Sequence, residues 1–253
     1  MTKVNIYGVD GKQNGQLDLP DVFDTPFRPD VIKKSFNIHQ SNKRQPYGTS
    51  KLAGLRHATA SVGKGRGMSR VPRLTQGRRA ALAPCVVGGR RAHPPKAERN
   101  WKEKINKKEK TLARNSAIAA TKEKEIVGDR GHKFKDSITL PVVIDDKIEK
   151  SKKTKDVIKA FEKIGIYDDI LRATNGKHIR AGRGKTRGRR YKTPKSLLIV
   201  TTNEKFMKTS ANLTGVDIVH PKHLNVTHLA PGGDPGRLTV FTKESLKIIG
   251  GAK

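Results

Sequence analysis

Apolar positions recur with regular periods at the start of this chain and again after residue 98, but not between residues 44 and 97. Val4 and Ile6 alternate up to Gly8, and Asp10-Gly11 follows as a turn signal, so the chain opens with a short strand and a hairpin-like turn. Pro29 suits the first position of a helix that puts Ile32, Phe36 and His39 on one face. From Glu98, the residues Trp101, Ile105, Leu112, Ala119 and Ile126 form a narrow stripe at helical spacing, and Gly128 follows as a stop. That stripe predicts a helix packed on the core. Strands are then expected over 138–144, 196–201, 216–219 and 238–241, alternating with helices over 154–164, 168–171, 204–212, 221–229 and 243–249. Such alternation implies an α/β fold: a mostly parallel sheet with helices on both faces.

Between residues 44 and 97 every attempt at an element is broken, by Gly63, Gly65, Gly67, Gly77, Gly88 and Gly89 and by Pro72, Pro84, Pro94 and Pro95. A structureless stretch of that length belongs in a compact domain only as a functional extension that orders on a partner. The expected organisation is therefore a globular α/β domain from 1–43 and 98–253, an extended basic loop over 44–97, and a second basic loop over 177–195. Hydrophobic residues make up 34% of the chain and aromatics 5%, too few for a core that includes every residue, which places the loops outside it.

Charge sharpens this division. Residues 31–97 contain fifteen Lys and Arg and no Asp or Glu, and residues 170–203 contain ten more and again no acid. These windows carry +25 of the formal net charge of +31. Patches without internal counter-charge call for an external polyanion, which points to nucleic acid. In the first loop the candidate contacts are Lys43, Arg44, Lys51, Arg56, Lys64, Arg66, Arg70, Arg73, Arg78, Arg79, Arg90, Arg91 and Lys96. In the second they are Arg180, Arg183, Lys185, Arg187, Arg189 and Arg190. Arginine outnumbers lysine in both, and its planar fork holds phosphate bidentately and stacks on bases. The interspersed glycines let backbone approach a phosphate chain closely.

Other chemistries are weaker. Gly184-Lys185-Thr186 has the ending of a P-loop, but the first glycine of that motif would fall at Ile179. His220, His223 and His228 lack Cys or acidic companions at ligand spacing, so no metal is expected. Lone Cys85 reads as an inert small hydrophobe and excludes an intramolecular disulfide, which fits a reducing cytosol. No Gly-rich dinucleotide turn, cofactor site or catalytic constellation is evident, and no apolar run is long enough for a membrane span.

Four segments carry a resemblance. Gly65-Arg-Gly-Met-Ser-Arg-Val-Pro-Arg-Leu74, Gly88-Gly-Arg-Arg-Ala-His-Pro-Pro-Lys96, Arg180-Ala-Gly-Arg-Gly-Lys-Thr-Arg-Gly-Arg-Arg-Tyr191 and Leu229-Ala-Pro-Gly-Gly-Asp-Pro-Gly-Arg-Leu-Thr-Val240 resemble the archaeal form of the fourth universal large-subunit ribosomal protein family. The resemblance runs from the first strand to the last helix, with the four segments in the family's order. It implies a cytoplasmic, ribosomal protein without catalytic residues, whose partners are large-subunit rRNA, neighbouring large-subunit proteins and the nascent peptide. It also implies that the globular domain over 1–43 and 98–253 and the second loop over 177–195 bind RNA, and that the long loop over 44–97 penetrates rRNA and reaches the peptide exit tunnel, with its tip near residues 68–77. Arg66, Met68, Arg70 and Arg73 would then lie closest to the tunnel, and Arg90, Arg91 and Lys96 along the returning limb. Two rival classes are an RNA-acting enzyme, which lacks a nucleophile, base or metal set, and a DNA-compacting protein, whose regular duplex suits long glycine-rich loops less well than folded RNA.

Overall fold

In the computed structural model, residues 2–251 are described, and the chain divides into two compact units: Met1–Gln40 with Lys104–Lys253, and Ser41–Glu103. The first unit is an α/β sandwich. Its sheet runs in the order β2 (Gln13–Asp18), β1 (Lys3–Tyr7), β5 (Val142–Ile144), β10 (Thr239–Thr242), β8 (Leu198–Val200), β9 (Asp217–Val219). Only β1 and β2 pair antiparallel, across the Asp10-Gly11 turn; the other neighbours are parallel. Val142–Ile144, Leu198–Val200 and Thr239–Thr242 are buried throughout, as parallel strands covered on both faces must be.

Alternate residues of these strands feed two cores. Val143, Leu198, Val200 and Phe241 pack on one face with Phe23, Ile32, Ala113, Ala117 and Leu246. These come from α1 (Pro29–Asn42), α2 (Lys107–Ala119), α9 (Lys243–Gly251) and a short turn. Val142, Ile144, Ile199 and Val240 pack on the other face with Phe161, Ile170 and Phe206. Those side chains come from α5 (Thr154–Ile164), α6 (Tyr167–Asn175) and α7 (Glu204–Ser210). Asn203 caps α7 by accepting from the amides of Lys205 and Phe206, so the chain leaves β8 and turns directly into the covering helix. A four-residue helix, α4 (Asp146–Glu149), follows β5.

Several sequence expectations need correction. The stripe from Trp101 to Ile126 is not one helix: residues 98–106 are not helical, α2 ends at Ala119, and α3 (Lys124–Asp129) begins after a break. Trp101 and Ile105 therefore lie outside the helical core. The strand expected over 138–144 starts only at Val142, since Pro141 has no N–H for the ladder. The helix expected over 221–229 is a 3-10 turn, Pro221–His223, followed by the four-residue α8 (Val226–Leu229).

One buried polar cluster fixes the place where the second basic segment leaves α6 and runs into β8. Asp169, on α6 and fully buried, accepts from the Lys133 amide at 3.1 Å, Arg172 Nε at 2.8 Å, Ser196 Oγ at 2.7 Å and His132 Nδ1 at 3.0 Å. Burial alone would raise this carboxyl, but the His132, Arg172 and Ser196 hydrogen bonds outweigh it and hold Asp169 well below the usual carboxylate range. Burial pushes the His132 imidazole down, against its hydrogen bond with Asp169, which raises it. Arg172 also donates from Nη2 to the Lys195 carbonyl at 2.8 Å, which ties residues 172 and 195 together.

Arg237 completes the clamp. Fully buried, it donates to the carbonyls of Ser196 (2.8 Å), Leu197 (3.0 Å), Gly215 (3.3 Å) and His228 (2.9 Å) and to Asp217 Oδ2 (2.7 Å). Asp217 also binds Lys195 Nζ at 2.9 Å. Removing the guanidinium would strand several buried acceptors at once. Arg237→Leu is therefore expected to lower the unfolding free energy by about 3 kcal/mol or more, with Arg237→Lys recovering only part of it. Urea denaturation checks this, and a loss below about 1 kcal/mol would mean that the five contacts are dispensable.

Candidate nucleic-acid interface

The first basic segment lies in the unit Ser41–Glu103. Among its described residues only Ala81 is a buried apolar residue, whereas Tyr47, Leu52, Leu55, Met68 and Val87 are exposed. Its regular structure amounts to β3 (Thr59–Ala60) paired antiparallel with β4 (Arg73–Leu74), plus a bridge from Arg73 to Ala80. Such a unit has almost no core of its own. Its surface is cationic and partly apolar, which suits phosphates and unstacked bases.

What shapes the unit is a stem where its two ends meet. The Asn42 side chain donates to the Glu103 carbonyl at 3.1 Å and accepts from the Glu103 amide at 3.0 Å, while Ser41 Oγ donates to the Trp101 carbonyl at 3.0 Å. Arg44 and Arg99 lie over the Trp101 ring, 4.0 and 4.3 Å from its centroid. Each such contact contributes about 0.5–1 kcal/mol at a partly exposed site. The Lys51–Glu98 ion pair at 2.5 Å is largely exposed and adds less. Further out, the Thr49 amide donates to the Pro95 carbonyl at 3.0 Å. The sequence assigned Trp101 to a core stripe and did not single out Asn42. Arg99 and Lys102 beside Trp101 are the signal that separates this ring from a core tryptophan.

Of the candidate residues here, Lys43, Arg44, Lys51, Arg56, Lys64, Arg66, Arg70, Arg78, Arg79, Arg91 and Lys96 are exposed, and Arg73 and Arg90 are half-buried. Arg73 differs from its neighbours because its guanidinium is already engaged. It donates to the Arg78 carbonyl at 2.7 Å and to Ser69 Oγ at 3.1 Å, and so closes the turn over 69–78. Before that turn, Gly63, Gly65 and Gly67 all have positive φ, at 76°, 79° and 63°, and no atom lies within 4 Å of where a Cβ would project. The backbone there is open to close approach. Cys85 is exposed.

The second basic loop is built as a hairpin. β6 (His178–Ile179) pairs antiparallel with β7 (Tyr191–Lys192), and a 3-10 turn, Arg183–Arg187, forms the tip between Gly182 and Gly188, both at positive φ. Arg180 braces it: its amide donates to the Arg190 carbonyl at 2.8 Å and its Nε to the Arg189 carbonyl at 3.2 Å. Arg183, Lys185, Arg187, Arg189 and Arg190 are exposed, and Arg180 is half-buried. Tyr191, 52% exposed, has Lys177 Nζ 4.9 Å and Arg190 5.9 Å from its ring, so a flat aromatic face stands among the cations. Thr186 donates to the Arg183 carbonyl inside the tip and opens no helix, so the P-loop-like triplet is part of the hairpin.

Beside the hairpin base opens a cleft of about 880 Å³ whose walls include Phe27, Arg130, Arg172, Lys192 and Lys195. Arg130 also caps the glycine-rich turn Pro231–Gly233, donating to the Pro231 carbonyl at 2.6 Å and to the Asp234 carbonyl. Among the described residues no group of His, Cys, Asp and Glu is placed to hold a metal. His220 instead caps the Pro221–His223 turn, its Nδ1 accepting from the Lys222 amide at 3.2 Å. No helix among the described residues is long and apolar enough to cross a membrane.

Comparison with known proteins agrees with the four sequence segments. The family model of the ribosomal protein L4/L1 family matches residues 17–252. The large ribosomal subunit protein uL4 of Thermoplasma acidophilum is 49% identical over 98% of both chains. That of Methanococcoides burtonii is 51% identical over 99% of both, and that of Archaeoglobus fulgidus 49% over 98% of both. With a family match over almost the whole chain and relatives at half identity from end to end, the chain belongs to the ribosomal protein L4/L1 family.

Proposed function

We propose that this chain is a structural constituent of the large ribosomal subunit that binds large-subunit (23S) rRNA, aids its folding and assembly, and lines part of the peptide exit tunnel with the tip of its first basic segment. It is not an enzyme. The observation that carries the reading is the exposure of nearly every cation in two acid-free segments, on a stem and a hairpin built to hold them outward. Its partners are the rRNA, neighbouring large-subunit proteins and the nascent peptide. The mechanism is charge neutralisation: cations let RNA segments approach one another, and release of condensed counterions supplies affinity.

The hairpin provides a direct test. Replacing Arg183, Arg187, Arg189 and Arg190 with Ala should lower the slope of log affinity for transcribed large-subunit rRNA against log salt by about three units, since each lost phosphate contact removes about 0.7–0.9. These side chains are exposed, so the thermal unfolding of the protein should stay unchanged. An unaltered slope would place the hairpin in solvent. The tunnel assignment has its own test. A photoreactive group at Arg70, whose side chain is exposed, should label a stalled nascent chain or tunnel-wall nucleotides in assembled ribosomes. Labelling of solvent-side rRNA alone would reduce the segment to an architectural role.

A further inference from the structure

One stretch of this chain runs against its overall charge. Residues 10–30 carry five Asp against one Lys and one Arg, a net charge of −3 within a chain of +31. They include β2, which ends the six-stranded sheet and has no strand on its outer side. Asp10, Asp24 and Asp30 are partly offset by Lys163, Lys122 and Arg28. Asp18 and Asp21 are exposed and have no ion-pair partner among the described residues.

Proteins usually guard an open sheet edge with lysine, proline, inward charge or a covering loop. β2 reads Gln-Asn-Gly-Gln-Leu-Asp, with neither lysine nor proline, and every residue in it except Leu17 is exposed. Its pairing with β1 slips by one residue between Gln16 and Gln13, which leaves Gln16–Asp18 as the regular edge. The Leu19 amide donates inward to the Thr2 carbonyl at 3.0 Å, so antiparallel alternation turns the amides of Gln16 and Asp18 to the open side. Leu17, opposite Val4, packs partly buried against the core, whereas Gln16 and Asp18 point to the other face. Beside them, nothing lies within 4 Å of where a Cβ on Gly15 would project. The opposite edge differs: β9 is half-buried, and its Asp217 is already held by Arg237 and Lys195.

Charge selects what pairs with this edge. Unpaired carboxylates repel the phosphates of RNA, and a second copy would set one acidic edge against another within two strongly cationic chains. We infer that the outer edge of β2 takes an extended strand of another, basic protein, with Lys or Arg set against Asp18 and Asp21 and an apolar residue beside Leu17. Main-chain hydrogen bonds to Gln16–Asp18 supply affinity in such pairing, and the alternating side chains supply specificity. The inference rests on the ribosomal reading and goes beyond it by naming the surface, the pairing mode and the charge of one protein partner.

A photoreactive p-benzoylphenylalanine in place of the exposed Gln16 is the probe, read in assembled large subunits by mass spectrometry of the crosslinked peptides. The expected product is a crosslink to a protein segment that contains Lys or Arg. The double change Asp18→Lys, Asp21→Lys should cut its yield about fivefold or more, and Asp18→Glu, Asp21→Glu should keep it. Should the double lysine variant fail to fold, Asp21→Asn alone, which lies outside the strand, should lower the yield about twofold. Crosslinks to rRNA alone, to a second copy of the chain, or to nothing in subunits that contain the chain overturn the inference and leave the proposed function standing. A protein crosslink that is indifferent to the charge changes overturns it as well. A chain that never enters the large subunit removes both.

Discussion

Two carboxylates, the fully buried Asp169 and the half-buried Asp217, hold the ground from which this molecule presents its charge. Asp169 gathers His132, Arg172, Ser196 and the Lys133 amide, and Asp217 gathers Lys195 and Arg237. Arg172 and Lys195 are also the first and last cations of the second acid-free window, so the base of the basic hairpin is closed by groups belonging to the window itself. Buried ion pairs seldom add much net stability; here they tie Lys133, Arg172, Lys195 and Ser196 to one place. The hairpin gains a fixed base between α6 and β8.

Carboxylates are thus used where the protein must hold itself together and are absent from the two segments proposed to meet RNA. Asp145–Lys243, Asp169–Arg172 and Asp217–Arg237 all lie in the α/β unit, at the ends or beneath the strands. The hairpin tip and the segment over 44–97 contain no acid at all. Free of a polyanion, such segments repel themselves; in the proposed function the same charges become the binding energy against RNA. The stem at Trp101 follows the same logic, since an aromatic ring and an amide side chain lock its two limbs without neutralising any arginine.

Much of the α/β unit was legible from periodicity. Val142–Ile144 and Leu198–Val200 are apolar throughout because both faces are covered, and α5 carries Val157, Phe161 and Ile164 inward at helical spacing. The failures have physical causes. Trp101 falls in step with Leu112 and Ile126 by spacing alone, yet its ring packs against two guanidinium groups, a role that hydrophobic period cannot distinguish from burial. The basic hairpin was invisible as a hairpin because its strands are only two residues long and exposed, held by backbone pairing and Arg180 rather than by an apolar face. Arg237 was hidden for the opposite reason: arginine is rarely fully buried, and only the convergence of four carbonyls and Asp217 makes it so. The cations of 44–97 and 177–195 could be named from charge, but not that Arg73 is engaged within its own turn.

The central claim is that RNA supplies the counter-charge and the packing that residues 44–97 lack in themselves. Ordering a backbone residue costs about 1–2 kcal/mol, and a unit with Ala81 as its only buried apolar residue among those described cannot offset that cost alone. Amide hydrogen exchange compares the two states directly. The account predicts that in the isolated protein residues 44–97 exchange rapidly while β5, β8 and β10 stay protected, and that the segment becomes protected in the assembled large subunit. Protection of 44–97 at the level of the central strands in the free protein would contradict it.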